Sequence, residues 1–339
     1  MNGYYRQDSP YRHESPYTRT SPYRVTPYNG HPRAHIRDVW NHNLIDEFKT
    51  INRLVADYPY VSLDTEFPGV LQTRPTGPNG GVYYDQKEFD YQTVRCNVDE
   101  LQVIQVGLTL MDGYGRTPYD RVGVSTWQFN FRFNLNVDKH SADSIHLLMS
   151  SELNFQRLAT EGIVSQDFAE QLMASGLVLN DKCEWISFHG AYDFGYLIKI
   201  LTDAPLPPML RAFHELLRIY FPVIFDVKLI LNAFNGHTGG LQEEAQNLGL
   251  RRFGRPHQAG SDSLLTGQLF FRVLDAYPYQ SQDIDRFVGN IFKFSDAGSD
   301  SLLTGQLFFR VLDAYPYQSQ DIDRFVGNIF KFSDVFIYN

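Results

Sequence analysis

The stretch Val61-Ser62-Leu63-Asp64-Thr65-Glu66-Phe67 decides the fold. Its side chains alternate apolar and polar with period two, the pattern of a half-buried strand. On such a strand Asp64 and Glu66 project to one face, while Val61, Leu63 and Phe67 fill the other. Upstream, residues 40–59 carry Leu44, Phe48, Ile51, Leu54 and Val55 at helical spacing and stop at Pro59. Downstream, residues 101–110 and 126–133 predict two more β-rich stretches, and 143–160 and 164–175 predict helices. A short strand at 185–188 feeds a helix over 192–201, and a further helix is predicted at 206–221. A brief apolar run at 223–225 and a polar-faced helix at 241–250 follow. Strands followed by alternating helices and short apolar runs predict a mixed α/β sheet with helices on its faces.

Composition narrows the class. The chain has 339 residues, enough for one large domain or two small ones. At 43% hydrophobic and 15% aromatic it can bury a sizeable core, which excludes a wholly disordered or fibrous protein. Cys96 and Cys183 are the only cysteines, so neither a disulfide framework nor a Cys-rich zinc site is possible, and a reducing compartment is expected. No run approaches 18 uncharged apolar residues, and the polar, Tyr-rich start does not read as a secretory signal. No membrane partner is expected.

Residues 1–35 repeat a Ser/Thr-Pro-Tyr unit between arginines and offer almost no aliphatic side chain to bury; they predict a disordered tail. Five arginines against Asp8 and Glu14 leave that tail with a surplus of three positive charges. The chain as a whole stands at −9, so the remainder is strongly acidic. Such a body cannot coat nucleic acid through bulk phosphate attraction, but it can meet phosphates through divalent cations held by carboxylates.

Residues 259–296 recur without a change as 297–334. Two copies do not make a solenoid. The segment's predicted helix, from Asp262 to Leu274, is apolar nearly all round and needs burial on several sides. One copy fills a slot in the helical layer, and the second has no second slot. The expected organisation is therefore a tail at 1–35, one domain at 36–296, and an appended copy at 297–339. Self-association by swapping the copy into a neighbour's slot is a less favoured outcome.

Besides Asp64 and Glu66, Asp193 sits just past a predicted strand, where open α/β sheets build their sites, and is equally suited to the start of a helix. His257 and Asp262 lie five apart across a Gly260-Ser261 turn, with Asp262 at a predicted helix start, a place the helix dipole favours for an acid. Asp193-Phe194-Gly195 spells a kinase metal motif, but no Gly-rich phosphate loop or His-Arg-Asp loop accompanies it.

Taken together, a strand Asp-x-Glu, a mid-chain Asp and a late His-x4-Asp follow the order of the DEDD exonucleases. The chain resembles the Caf/Pop family of poly(A) ribonucleases, the deadenylase subunit of the Ccr–Not complex. The resemblance rests on Leu63-Asp-Thr-Glu-Phe-Pro-Gly-Val70, Arg95-Cys-Asn-Val-Asp99, Ser125-Thr-Trp-Gln-Phe-Asn-Phe131 and Tyr192-Asp-Phe-Gly-Tyr-Leu-Ile-Lys-Ile-Leu201. Gly239-Gly-Leu-Gln242 and His257-Gln-Ala-Gly-Ser-Asp-Ser-Leu-Leu-Thr-Gly267 extend it, so that it covers roughly residues 36–275. It implies an RNase H-like α/β fold, a mixed sheet flanked by helices on both faces. The implied activity is 3′-to-5′ removal of 5′-AMP from mRNA poly(A) tails by two-metal-ion hydrolysis, with Mg²⁺ or Mn²⁺ as cofactor.

The resemblance further implies Asp64, Glu66, Asp193 and Asp262 as metal ligands and His257 as general base or water orienter. That role suits an imidazole, the side chain that titrates near neutrality. Asp226 rivals Asp193 as third acid; the family pattern favours Asp193 and leaves Asp226 a supporting residue near the site. Phe67, His189 and Phe194 flank the acids and are candidates to bind the terminal nucleotide, with a core role open for both phenylalanines. In the second copy Asp300 repeats Asp262, but Ser295 stands where His257 would, so that copy is no second active centre. Implied partners are poly(A) RNA, a Not scaffold and a Ccr-type nuclease, in the cytoplasm and also the nucleus. The competing expectation is a catalytically impaired RNase H-like scaffold subunit.

Overall fold

The structure is a computed structural model that describes residues 34–294, except 74, 77–82, 84, 237, 238 and 279. The expected tail and the duplicated segment 297–334 fall outside the described residues, apart from Ala34 and His35. In chain order the elements are β1 (Ile36–Val39), α1 (Leu44–Asn52), β2 (Tyr60–Glu66), α2 (Gln86–Glu100), β3 (Gln105–Met111) and α3 (Tyr119–Val122). β4 (Thr126–Asn130), α4 (Ala142–Ser150), α5 (Phe155–Glu161), α6 (Ser165–Ala174), β5 (Glu184–Ser187) and α7 (Ala191–Thr202) follow. α8 (Leu210–Tyr220), β6 (Val223–Asp226), α9 (Val227–Asn235), α10 (Leu241–Asn247) and α11 (Ala259–Ala276) complete the set, with a 3-10 stretch at Gln280–Phe287.

One six-stranded sheet runs β1-β4-β3-β2-β5-β6. β3 is antiparallel to both its neighbours, and the β1–β4, β2–β5 and β5–β6 pairs are parallel. The expected mixed, RNase H-like sheet is therefore the fold. The period-two reading of β2 explains its two faces. Val61 and Leu63 enter a core with Val106, Leu108, Trp127, Phe129 and Trp185, closed by α1, α2, α6, α7 and α8. On the opposite face α11 lies across the middle of the sheet; Tyr60, Met111, Ile186 and Phe225 join Leu264, Leu269, Phe270 and Val273 there. Helices thus cover both faces.

Small residues let α11 approach so closely. Gly107 pairs with Asp64 across the β2–β3 ladder. A Cβ at Gly107 would overlap the Ala259 carbonyl, and one at Gly267 would meet Ser62 Oγ at 2.6 Å. Polar side chains of the sheet fasten the same helix. Gln105 Oε1 accepts from Ala259 N–H at 3.3 Å and Gln128 Oε1 from Gly260 N–H at 3.0 Å, so two strands satisfy donors that a helix start leaves free. Ser62 Oγ donates to Ser263 C=O at 2.8 Å.

Several expected boundaries move, each for a local reason. The continuous helix at 143–160 is two, because Glu152 takes a positive φ of 66° and Asn154 caps α5 through Arg157 N–H. The helix expected from 206 begins at Leu210, after Pro205, Pro207 and Pro208. The helix expected from Asp262 begins three residues earlier, at Ala259, which places Asp262 in its first turn. The helix expected over 40–59 is confined to Leu44–Asn52. Three helices, α2, α3 and α9, have no counterpart in the sequence reading. Among the described residues no helix is long and apolar enough to cross a membrane.

Candidate active site

Three elements deliver acids to one end of the sheet. Asp64 and Glu66 stand on the α11 face of β2, opposite Gly107 and Gln105. Because Gly107 has no side chain, the first turn of α11 reaches over Asp64 and brings Asp262 with it. Asp193 arrives from the first turn of α7 and accepts from Thr65 Oγ1 at 2.6 Å. His257 comes from the loop before α11, and its backbone N–H donates to Asp262 Oδ2 at 2.9 Å. His257 adopts a φ of 59°, and its side chain stays exposed.

Glu66, His257 and Asp262 are the tightest group: one ligand atom from each lies within 4.8 Å of the others. Asp64 and Asp193 border them electrostatically. Burial first, then Asp262, Asp193 and Glu66, hold the Asp64 carboxyl well above the usual carboxylate range, and Arg252 opposes them. Glu66 is pushed up by burial, Asp262 and Asp193, again against Arg252. Asp193 is pushed up to about 7, by burial above all; the Thr65 hydrogen bonds work against this and Asp226 adds to it. Burial and the neighbouring acids disfavour ionisation of Asp64 and Glu66, and such a site gains by taking up cations. Carboxylate oxygens with one imidazole suit a hard divalent ion such as Mg²⁺ or Mn²⁺, and the donor set fits that group.

The expected acids and His257 are thus gathered at one place; the three nucleotide-binding candidates fare differently. Phe194 is 0% exposed, packed edge-on to Trp185 and Phe221 in the core. No nucleotide can reach its ring, and that expectation is corrected. His189 packs edge-on to Phe292 at 5.1 Å, and burial, with Lys228 and Lys293, lowers its pKa to about 4. Phe67 is partly buried and stacks on Tyr192 at 4.8 Å.

Asp226 lies fully buried at the end of β6 and accepts backbone N–H groups from His189, Gly190, Lys228, Leu229 and Phe292 at 2.9–3.4 Å. With its oxygens so engaged it fixes the β5–α7 turn and hence Asp193, the supporting place expected of it. Arg252 went unread in the sequence. Its Nη1 donates to Asp262 Oδ1 and to Ser261 Oγ at 3.1 Å, and its Nε to Gln242 Oε1 at 2.6 Å. A single Arg in a loop carries no spacing signal, and only the folded chain shows which acid it meets.

Comparison with known proteins finds close relatives of this chain. A family model described as CAF1 family ribonuclease matches residues 39–182. Poly(A) ribonuclease pop2 of Schizosaccharomyces pombe is 46% identical over 242 residues, covering 71% of this chain and 70% of that protein. A probable CCR4-associated factor 1 homolog 7 of Arabidopsis thaliana is 42% identical over 265 residues, 77% of this chain and 90% of that protein. Among solved structures, the Mg²⁺- and Mn²⁺-bound form of S. pombe Pop2p superposes with a TM-score of 0.71 at 44% identity, covering 76% of this chain and 99% of that one. A chain in the structure of the yeast NOT1 MIF4G domain co-crystallized with CAF1 matches with a TM-score of 0.65 at 34% identity, over 76% of this chain and 96% of its own length. Identity at this level over most of both sequences leaves one conclusion: the chain belongs to the CAF1 family of ribonucleases.

Proposed function

We propose that this ribonuclease removes 5′-AMP stepwise from the 3′ end of poly(A), with Mg²⁺ as cofactor or Mn²⁺ in its place. The observation that carries the reading is the convergence of Glu66, His257 and Asp262, whose ligand atoms lie within 4.8 Å of one another, with Asp64 and Asp193 beside them. Asp64, Glu66, Asp193 and Asp262 would hold two ions. Bound divalent ions supply Lewis acidity at the scissile phosphate and charge neutralisation for the carboxylates. His257, exposed on a loop tied to Asp262, would take the proton of the attacking water as general base. Thr65 and Asp226 position Asp193, and Phe67 and His189 remain candidates for the terminal nucleotide.

Family membership also supports docking of this chain on a Not scaffold beside a Ccr-type nuclease, in the cytoplasm and the nucleus, with 36–296 as the catalytic unit. Copurification and imaging of a tagged chain test those points. For the reaction, the purified protein with Mg²⁺ is expected to shorten 5′-labelled oligo(A) one nucleotide at a time and release AMP. Asp64→Ala is expected to abolish this without unfolding the chain. Normal trimming by Asp64→Ala refutes the site; no trimming by the parent protein favours the scaffold role.

A further inference from the structure

The loop Arg251-Arg252-Phe253-Gly254-Arg255-Pro256-His257 carries three arginines in seven residues, and no acid occurs from Ala245 to Ser261. In a chain of net charge −9 this is a local reversal of sign beside the acid cluster. Successive side chains part company. Arg252 turns inward to Asp262, whereas Arg251 is exposed and Phe253 is 39% exposed. Arg255 also faces outward, with Glu152 as its counter-ion at 2.6 Å.

The loop is held in place. Phe253 C=O accepts from Ser261 Oγ at 2.8 Å, and Gln258 Nε2 donates to Ser151 C=O at 2.7 Å. Gly254, at φ 86°, lies against Ile36 and Ser261, where a Cβ would come within 3.1 Å of each. A fixed cationic edge with an accessible aromatic ring is the combination that binds single strands, since arginine meets phosphate and every base has a face to stack.

We propose that this loop is a binding arm for single-stranded RNA on the 5′ side of the linkage being cut. Phe253 stacks on a base, and Arg251 and Arg255 contact the phosphates that follow. Purines stack more strongly than pyrimidines, so the arm favours an adenine tract without reading base edges. The inference rests on the ribonuclease reading above but concerns binding, which can be measured apart from cleavage.

The test measures fluorescence anisotropy of labelled fifteen-nucleotide oligo(A) with the full chain carrying Asp64→Ala, alone and combined with Phe253→Leu, Phe253→Trp or Arg251→Ala. Phe253→Leu is expected to weaken binding about tenfold, and Phe253→Trp to restore it. Arg251→Ala is expected to reduce the dependence of log affinity on log salt by about one. In the active chain Phe253→Leu raises KM for oligo(A) far more than it lowers kcat. Binding and KM equal to the parent's in Phe253→Leu and Arg251→Ala overturn the arm. A protein that binds through Phe253 yet never trims keeps the arm and sinks the catalytic reading instead.

Discussion

The Thr65 hydroxyl donates to Asp193 Oδ1 at 2.6 Å, joining the strand that carries two acids to the helix that carries a third. Thr65 lies between Asp64 and Glu66 and faces the other way, so one strand presents ligands on one side and a brace on the other. Thr65→Val keeps shape and removes the donor. It is expected to cost about 1–3 kcal/mol of stability, the range for a buried acceptor left unpaired. The variant's half-saturating Mg²⁺ concentration for oligo(A) trimming should rise. Denaturant melts and Mg²⁺ titrations check the two parts, and a variant unchanged in both removes Thr65 from the account.

Asp226 and Asp64 are expected to behave in opposite ways. Asp226→Ala strands five backbone donors that now share one carboxylate, and a loss of about 3 kcal/mol is expected, with trimming lost as Asp193 drifts. Asp64→Ala removes a carboxylate whose ionisation is disfavoured first by burial and then by its neighbours, so the metal-free protein should be as stable as the parent or more so. Urea unfolding in EDTA orders the two variants; Asp64→Ala falling below Asp226→Ala would contradict the assignment of one as structural and the other as functional.

Stability of the metal-free protein should fall as pH rises. A carboxyl whose pKa is raised on folding binds protons more tightly in the native state, so its contribution is present at low pH and lost as pH rises through the folded value. For Asp193 that value is about 7, and Asp64 and Glu66 shift in the same direction. The melting temperature in EDTA is therefore expected to decline between pH 5 and pH 7.5. Added Mg²⁺ should raise it more at pH 7.5 than at pH 5, because only the ionised acids hold the ion. A melting temperature in EDTA that climbs across this interval contradicts the electrostatics of the cluster.

Removing residues 297–334 is expected to leave trimming within about twofold and the hydrodynamic size that of a monomer, since the four acids and His257 all precede that segment. Light scattering on both forms tests it. A full chain that is dimeric while the shortened one is not points instead to exchange of the repeated helix between copies.

Much of this was legible in the sequence, for identifiable reasons. The alternation around Asp64 and Glu66 gave the strand and the shared face of its acids, and the late His-x4-Asp spacing put Asp262 in the opening of a helix with His257 shortly before it. What escaped was carried by polar burial. α2 hides because its buried side includes Gln92 and Asn97 beside Tyr91, Val94 and Val98, which blurs its apolar stripe. Asn97 is buried to accept from Leu71 and Gln72 N–H at 2.7 and 2.9 Å, a long-range duty without a local pattern. Arg252 escaped for the same reason: its partners lie ten residues away in each direction, at Gln242 and Asp262.

The Gly107–Ala259 approach makes the fourth acid hostage to a residue with no chemistry of its own. Gly107→Ala would lift the start of α11 and carry Asp262 away from Glu66 while every acid and His257 stayed in the sequence. Drift at that glycine could silence a relative whose signature still looks intact, so a census of active members that counts only carboxylates would err. The strand position opposite the first acid belongs in it too.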